Sequence, residues 1–537
     1  MYTKNKNVAL QTTVEPVYKS KASKHFASLS SKKYDILERA RRCAQLTLPA
    51  LLPADSKNEL DVLPTPYQSL GARGVNTLAS KLLLALFPAN TPFFKLQVSD
   101  KEAMELQQKA KQLGLQQGKS FLSSLEEALT RYERILVREA EKDALRVPIF
   151  DALKLCIATG NALLFVPKQG DIKVYSMDKY VIERDFSGNP TRFIVCESIA
   201  PSALPVEVKE NLSKKDQEKA EVEIFTYIIR KDKETYEGWQ ELKNGSMIEG
   251  SEGEYQTKDM PWIPIRWSSI AGEHYGRGLV EEYLGDLNSL EAISKAITQM
   301  AAVSSKILFM VNPNGTTKVR DLARKESGDF VVGNVQDVNV LQVPKSADFQ
   351  VAYQTKVGLE EALSAAFLLN VAVRRNAERV TAAEIRYVAA DLEDNLGGEY
   401  SVLSQSLQLP LIRALMARYT SQNRLPKLPT GSVEPTIIAG LEALGRGHDY
   451  GKLKQFVSDV ISLQANNYIN VPDLIARIGV SQGVEMEGLI KSEEELQQER
   501  QVAMQQQMAM MQQQAGIQAA SKAAPEVAKQ ALQEEEG

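Results

Sequence analysis

The feature that most constrains this chain is a pair of long helical patterns, joined by a short β-patterned segment, between residues 275 and 390. In the first pattern, apolar residues from Leu279 to Val303 recur at steps of three or four, which predicts an amphipathic helix over 279–305. Such a helix is about 40 Å long at ~1.5 Å per residue. A second helix is predicted over 348–369. The intervening apolar runs predict short strands at 307–311, 330–332 and 338–343. Long paired helices with a small β tip are typical of a strut that serves an assembly.

Composition sets the limits on what surrounds this pair. The chain has 537 residues, 43% hydrophobic and 25% charged, as expected for a soluble globular protein of about two to four domains. Because the net charge is −4, any binding of nucleic acid must depend on a local group of basic residues. The three cysteines are far apart, which disfavours a disulfide scaffold or a thiolate zinc site. The sequence contains no apolar signal core and no run long enough for a membrane span, so a soluble, intracellular protein is expected.

The remaining periodicity predicts an α+β fold. Helical patterns cover most of the first 160 residues, and a period of two over 162–266 predicts a β-rich region. Another helix is expected to begin at the capping pattern of Thr381 and to continue to about residue 422, with a bend at Pro410. Residues 436–490 predict a small helical unit. The Gln-, Met- and Ala-rich residues 491–537 fit either a disordered tail or a helical barrel.

The motifs associated with chemistry are weak. Residues 114–120 resemble a phosphate-binding loop around Gly118, Lys119 and Ser120, but one position is missing between the glycines and no buried strand precedes them. The histidines are isolated from one another. The acidic group at 391–394 could bind Mg²⁺, but exposed helical carboxylates are the commoner outcome. We therefore expect no enzyme, no catalytic residue, no metal site and no cofactor.

A basic stretch after the second helix is harder to dismiss. Residues 374–379 contain three arginines, and two readings remain open for them. One is an ordinary solvated connection between helices. The other is a set of donors for a polyanion, because the planar guanidinium fork suits phosphate oxygens. The residues of this second reading are Arg374, Arg375, Asn376 and Arg379.

Several blocks of sequence resemble the portal proteins, or head-to-tail connectors, of short-tailed bacteriophages. They are Gln68-Ser-Leu-Gly-Ala-Arg-Gly-Val-Asn-Thr-Leu-Ala-Ser-Lys-Leu82, Leu84-Ala-Leu-Phe-Pro88, Tyr275-Gly-Arg-Gly278, Glu282-Tyr-Leu-Gly-Asp-Leu287, Glu378-Arg-Val-Thr-Ala-Ala-Glu-Ile-Arg-Tyr387, Leu392-Glu-Asp-Asn-Leu-Gly-Gly398, Leu407-Gln-Leu-Pro-Leu411 and Gly440-Leu-Glu-Ala-Leu-Gly-Arg-Gly447. The blocks occur in order between about residues 34 and 478. The N-terminal arm, the insertion at 209–219 and the C-terminal tail do not carry the resemblance.

The resemblance implies a mainly helical portal fold assembled as a dodecameric ring. The implied parts are the wing (1–275), stem helix 1 (276–305), the clip (306–345), stem helix 2 (346–370), the tunnel loop (371–380), a long bent wing helix (381–435), the crown (436–490) and the tail (491–537). The ring would form a channel at one capsid vertex of the virion, after synthesis in the cytoplasm of a bacterial host. Double-stranded DNA would be packaged through it and later ejected into the tail.

Partners and contact residues also follow from the resemblance. The expected partners are other copies of the chain, double-stranded DNA read without sequence preference, the terminase large subunit, tail adaptor and nozzle proteins, and capsid, scaffolding and internal core proteins. No membrane insertion is expected. The tunnel-loop residues would touch DNA. The channel-facing stem residues would be Lys295, Gln299, Gln354 and Lys356, and the clip contacts to terminase or adaptor would be Asn312, Asn314, Lys318 and Arg320.

Two other classes fit parts of the sequence. A coiled-coil adaptor or secretion ring could use the same paired helices, although the apolar stripe here stops after one strut. A phosphate-handling enzyme could be centred on Lys119, and ATP hydrolysis lost in Lys119→Ala would support it. Electron micrographs of the purified protein distinguish the portal from the rod or monomer expected otherwise.

Overall fold

The computed structural model describes residues 22–54, 61–88, 92–98, 118–204, 208–209, 212, 217–218, 220–304, 308–341, 346–369, 391–392, 394–426, 433–437, 455–458, 474, 501–502, 504–508 and 510. The chain divides into two compact units, Met1–Leu444 and Gly445–Gly537. In the second unit, the described stretches 455–458 and 504–508 are helical. The elements below belong to the first unit.

Helices dominate the N-terminal part of the first unit. They are α1 (Ala22–Lys32), α2 (Tyr34–Gln45), α3 (Leu70–Leu86), α4 (Gly118–Lys142) and α5 (Arg146–Thr159). On α3 the apolar residues recur at three- or four-residue steps, so that Leu78, Leu82 and Leu86 are completely buried on one face. This face joins the main hydrophobic core, to which α5 contributes Leu153 and Ile157.

The β-rich region that the period of two predicts follows directly. Strands β2 (Asn161–Phe165), β3 (Lys173–Tyr175), β4 (Tyr180–Arg184), β5 (Pro190–Ile199), β6 (Val222–Arg230), β7 (Thr235–Leu242), β8 (Gly253–Gln256) and β9 (Trp262–Arg266) lie in this part of the chain. They form a five-stranded antiparallel sheet in the order β4-β5-β6-β7-β8 and a three-stranded sheet in the order β3-β2-β9. On β7, Tyr236 and Trp239 are buried.

Strand β1 (Phe94–Val98) pairs in antiparallel fashion with β12 (Val433–Ile437). Leu96 and Phe94 are buried in the main core, so this two-stranded sheet belongs to the body of the first unit. Strand β12 also extends across residue 436, where the boundary between wing and crown is expected. The helical unit predicted over 436–490 does not include this strand, because its partner residues lie far away in sequence.

The predicted paired helices are present, with changes at their ends. One helix was expected over 279–305, but the structure has a short α6 (Leu279–Glu282) and then α7 (Leu284–Ser304). Tyr283 separates them with a non-helical backbone (φ −104°, ψ 17°). The second long helix is α9 (Ser346–Ala366). Between them lie strands β10 (Leu308–Val311) and β11 (Val338–Leu341), which pair with each other, and the short helix α8 (Val319–Leu322).

The prediction of a strand at 330–332 is wrong. These residues have no regular structure, and the side chains of Phe330 and Val332 are 98% and 99% exposed. An apolar triplet resembles a buried strand in sequence, but a strand forms only where a neighbouring strand satisfies its backbone. We call residues 308–341 the tip.

The helix around Pro410 changes its hydrogen-bond pattern. Helix α10 (Gly398–Leu403) continues into a π-helical stretch, Ser404–Gln408, and then into α11 (Leu409–Ser421). Proline has no N–H to donate, so the regular α-helical bond pattern cannot pass through it. The wider π turn just before Pro410 accommodates this loss without ending the helix.

Candidate functional site

The helix pair α7/α9 is buried at one end only. Leu287 and Leu290 near the start of α7, and Leu363 near the end of α9, are fully buried in the main core. At the other end, Val303 is 57% exposed and Val351 is 64% exposed. The pair therefore has its base in the α+β body, and its apolar residues become exposed toward the tip.

Helix α3 forms a close contact with the base of the pair. A Cβ atom at Gly74 would lie 2.6 Å from Cγ of Phe367, so only glycine allows the ring to approach this closely. Phe367 is completely buried, and its ring centroid lies 6.3 Å from that of Tyr283. This contact explains one of the glycines in the block that carries the resemblance.

The N-terminus of α3 is fixed by polar contacts from both sides. The Glu291 carboxylate of α7 accepts hydrogen bonds from the backbone N–H groups of Tyr67 (3.0 Å) and Gln68 (3.2 Å), which stabilises a helix start with its partial positive charge. The Gln68 side chain donates to the carbonyl of Leu46 at 2.6 Å and accepts from the N–H of Gly71 at 2.8 Å. The same block thus connects α2, α3 and α7.

The chain enters the helix pair through a second tight contact. Gly160 ends α5 with a left-handed backbone (φ 80°), and a Cβ there would lie 2.5 Å from the nitrogen of Gly278. The neighbouring Asn161 side chain donates to the carbonyl of Gly276 at 2.8 Å and accepts from its N–H at 2.7 Å. The glycines of the Tyr275-Gly-Arg-Gly block therefore allow two backbones to cross at the base of α6.

The tip is held by one buried carboxylate. A single oxygen of Asp337 accepts hydrogen bonds from the backbone N–H groups of Thr316 (2.8 Å) and Thr317 (3.1 Å) and from the Thr317 hydroxyl (3.0 Å). Desolvation raises the pKa of Asp337, but the hydrogen bonds from Thr317 and Thr316 outweigh it and hold the pKa below its usual value. The ionised carboxylate thus fixes the turn after β10 against β11.

The four predicted stem residues do not form one face. Lys295 and Gln299 are exposed and lie four residues apart on α7, so they share a face. Gln354 and Lys356 are two residues apart on α9, about 200° around the helix, and cannot share one face. Lys356 pairs with Glu360 at 3.4 Å, and the Lys295 ammonium lies 5.9 Å from the Tyr67 ring. The channel-facing role of the four residues stays a prediction.

The four predicted tip residues Asn312, Asn314, Lys318 and Arg320 are all exposed. The Asn312 side chain accepts from the N–H of Asn314 at 3.1 Å and so shapes the turn after β10. Exposed apolar side chains lie on the same tip: Phe309, Val319, Phe330, Val332 and Val335. Exposed apolar side chains grouped among polar ones are typical of a protein interface.

The predicted tunnel-loop residues Arg374, Arg375, Asn376 and Arg379 lie outside the described residues, so their role stays a prediction. The segment that contains them, 370–390, begins after Leu369, near the base of α9, and ends before Asp391. The acidic group considered for Mg²⁺ is only partly described. Within the described part of the chain, no three His, Cys, Asp or Glu side chains form a group that could hold a metal ion.

The described histidines make structural contacts, and Cys43 is buried. Nδ1 of His25 lies 3.0 Å from the Tyr227 hydroxyl, and Nδ1 of His274 accepts the N–H of Arg184 at 3.1 Å. Burial raises the pKa of the Cys43 thiol to about 12, which disfavours a reactive thiolate. No helix in the described ranges combines the length and apolar content needed to cross a membrane.

Sequence analysis missed three residues that shape this region, namely Lys81, Glu291 and Asp337. Lys81 had a detectable signal, since it follows Leu78 by three positions and therefore falls on the buried face of α3. A charged residue at a core position indicates a specific partner. Glu291 and Asp337 had no such signal in the sequence, because neither falls at a position that the apolar pattern predicts to be buried.

These contacts define a structural connector. An α+β body holds the base of a long helix pair, and the pair ends in a compact tip with an exposed surface.

The sequence comparisons identify the family. The model for bacteriophage head to tail connecting protein matches residues 19–490, so the chain belongs to this family. The portal protein of Escherichia phage T7 is 42% identical over 471 residues, which cover 86% of each chain. The portal protein of Enterobacteria phage T3 is 42% identical over 470 residues, again 86% of each chain. The portal protein of Enterobacteria phage SP6 is 29% identical over 494 residues, or 89% of this chain and 91% of that protein.

Among solved structures, a chain from the neck of an empty GTA particle matches over 78% of this chain and 90% of its own length. It is 11% identical, with a TM-score of 0.35, too low to support an argument about the fold. The expected family is thus confirmed by sequence.

Proposed function

We propose that this chain is the portal subunit of a short-tailed bacteriophage. Copies of it would form a ring at one capsid vertex, through which double-stranded DNA enters during packaging and leaves into the tail. The observation that carries this proposal is the 42% identity to two phage portal proteins over 86% of the chain. The helix pair supports it, because a pair buried at its base and exposed beyond suits a wall shared between neighbouring subunits.

In this proposal, DNA is touched by a few arginines and otherwise passes freely. The net charge of −4 disfavours tight binding along the whole chain. Arg374, Arg375 and Arg379 supply local donors to phosphate oxygens, and a ring repeats them around its opening. Phosphates are the same at every base pair, so the contact would be independent of sequence.

The tip is proposed as the platform for the packaging terminase and, afterwards, for the tail adaptors. Its exposed residues combine cations such as Lys318 and Arg320 with apolar side chains such as Phe330 and Val332. Apolar residues surrounded by polar ones are the usual composition of a protein interface. Asp337 keeps this surface in shape by fixing the turn beneath it.

Electron microscopy of the purified protein tests the assembly. We expect rings with a central opening. Monomers or rods at concentrations where the family assembles would contradict the proposal.

The DNA contact is tested with a triple variant, Arg374→Ala, Arg375→Ala and Arg379→Ala. Rings should form normally, while the amount of DNA packaged or retained in the capsid changes. The matched control replaces three exposed arginines of the body, Arg42, Arg73 and Arg138, by alanine, which removes the same charge elsewhere. Normal packaging and retention in the first variant, or an equal defect in the control, would remove the role of the arginines.

A further inference from the structure

Helix α9 ends in an unusual way. After Ala366 the chain makes one more turn, in which the N–H of Leu368 donates to Ala365 and that of Leu369 donates to Ser364. Leu368 has a left-handed backbone (φ 55°), which a β-carbon disfavours and which glycine normally adopts at a helix end. Such a conformation persists only where the surroundings determine it.

The ammonium of Lys81 provides part of those surroundings. Lys81 lies on α3, is 2% exposed, and donates from Nζ to the Leu368 carbonyl at 2.5 Å. The last carbonyls of a helix have no partner within the helix and carry partial negative charge, so a cation is a favourable partner for them. One buried lysine therefore caps the end of α9.

Asp391, at the far end of the segment 370–390, acts on the same ammonium through its charge rather than through a hydrogen bond. Burial lowers the pKa of Lys81, and the charge of Asp391 opposes this shift, which places the carboxylate within electrostatic range of the lysine. Asp391 follows the segment directly and precedes Leu392, which is completely buried. Its Oδ1 accepts from the Asn395 side chain at 3.1 Å, whereas its buried Oδ2 accepts no hydrogen bond from the described residues.

We propose that Lys81 is a positioning residue that holds both ends of the segment 370–390 at the base of the helix pair. It bonds to the carbonyl where the segment leaves α9 and attracts the carboxylate where the segment returns. This holds whether or not the segment touches DNA. Only the consequence for DNA rests on the proposed function, because the three arginines then depend on Lys81 for their location.

Proteolysis measures how accessible the segment is to a protease, because trypsin cleaves after Arg374, Arg375, Arg379 and Arg386. Assembled wild-type protein is compared with Lys81→Met, which keeps the size of the side chain and removes its charge. We expect cleavage in the segment to become about tenfold faster, the change expected from losing one hydrogen bond to a charged group. Cleavage at the exposed tip, after Arg320 and Arg324, serves as an internal reference and should not change.

Two further variants keep the test decisive. Lys95→Met removes an exposed lysine on β1 and should leave the segment as in the wild type. Asp391→Asn keeps the bond to Leu368 and removes only the second attraction, so it should accelerate cleavage after Arg386 by a smaller factor. If Lys81→Met does not assemble, the rate of cleavage after Arg386 in Asp391→Asn decides whether the positioning role stands.

The outcomes separate this inference from the proposed function. Unchanged cleavage in both Lys81→Met and Asp391→Asn, or equal acceleration at the tip and in the segment, overturns the positioning role. If the arginine triple variant alters DNA retention, Lys81→Met should alter it in the same direction although its arginines are intact. A normal arginine variant together with selective cleavage in Lys81→Met would refute the DNA contact and leave the positioning role standing.

Discussion

The contact between Gly74 and Phe367 gives a quantitative test of how the helix pair is held. In Gly74→Ala the new Cβ would lie 2.6 Å from Cγ and 2.9 Å from Cδ2 of the ring, whereas carbon atoms prefer about 3.5–4.0 Å. The ring must move by roughly 1 Å, and it is completely buried. Overpacking of this kind costs ~1–3 kcal/mol. The gain in helix propensity from glycine to alanine offsets ~1 kcal/mol, so we expect a net loss of up to about 2 kcal/mol.

A matched control and a double variant isolate the clash. Gly358 lies in the middle of α9, is exposed, and a Cβ there meets nothing within 4 Å. Gly358→Ala should therefore raise the free energy of unfolding by up to ~1 kcal/mol. Phe367→Leu alone should lower it, because it removes buried atoms. The double variant Gly74→Ala/Phe367→Leu should be more stable than the sum of the single effects predicts, by about 1 kcal/mol.

Equilibrium unfolding in urea at one fixed protein concentration measures these differences, because assembly makes stability depend on concentration. The reasoning is refuted if Gly74→Ala raises the free energy of unfolding as much as Gly358→Ala does. Strict additivity in the double variant would refute it as well, because the two residues would then not be in conflict.

Two further predictions concern single charged groups. The pKa of Asp337 is held below its usual value, so its contribution is present above the unfolded pKa and is lost as the pH falls through the folded pKa. Amide exchange at Thr317 should accelerate as the pH drops below about 4, and this acceleration, relative to intrinsic exchange, should be absent in Asp337→Asn. Arg424 donates to Glu139 at 2.6 Å and to Asp143 at 3.0 Å, and so joins the chain after α11 to α4. Arg424→Ala should lower the free energy of unfolding by ~1–3 kcal/mol, and equal urea midpoints for variant and wild type would contradict this.

The sequence predicted the paired helices, the tip and the β-rich region because their signals are local. Leu279, Leu287 and Leu290 repeat at helical spacing whatever surrounds them. The break at Tyr283 and the absence of a strand at Phe330 depend on neighbours from other elements, so periodicity alone could not reveal them.

The candidate site shows the same division. Exposure of Lys318 and Arg320 was predictable from charge, and the family from ordered blocks of residues. The partners of Lys81, Glu291 and Asp337 were not, since each bonds to a backbone group whose position the fold determines.

From the pairing of β1 with β12 we expect a particular order of folding during translation. Gln97 and Thr436, which meet across this sheet, are 339 residues apart. At about 10 residues per second, the first strand waits roughly half a minute for its partner. The α7/α9 pair and its tip lie within residues 284–366, so the contacts between them join residues much closer in sequence and can form during that interval. Each new chain would therefore hold a formed helix pair while β1 still lacks its partner strand, and the body of the first unit could be completed only after β12 has been translated.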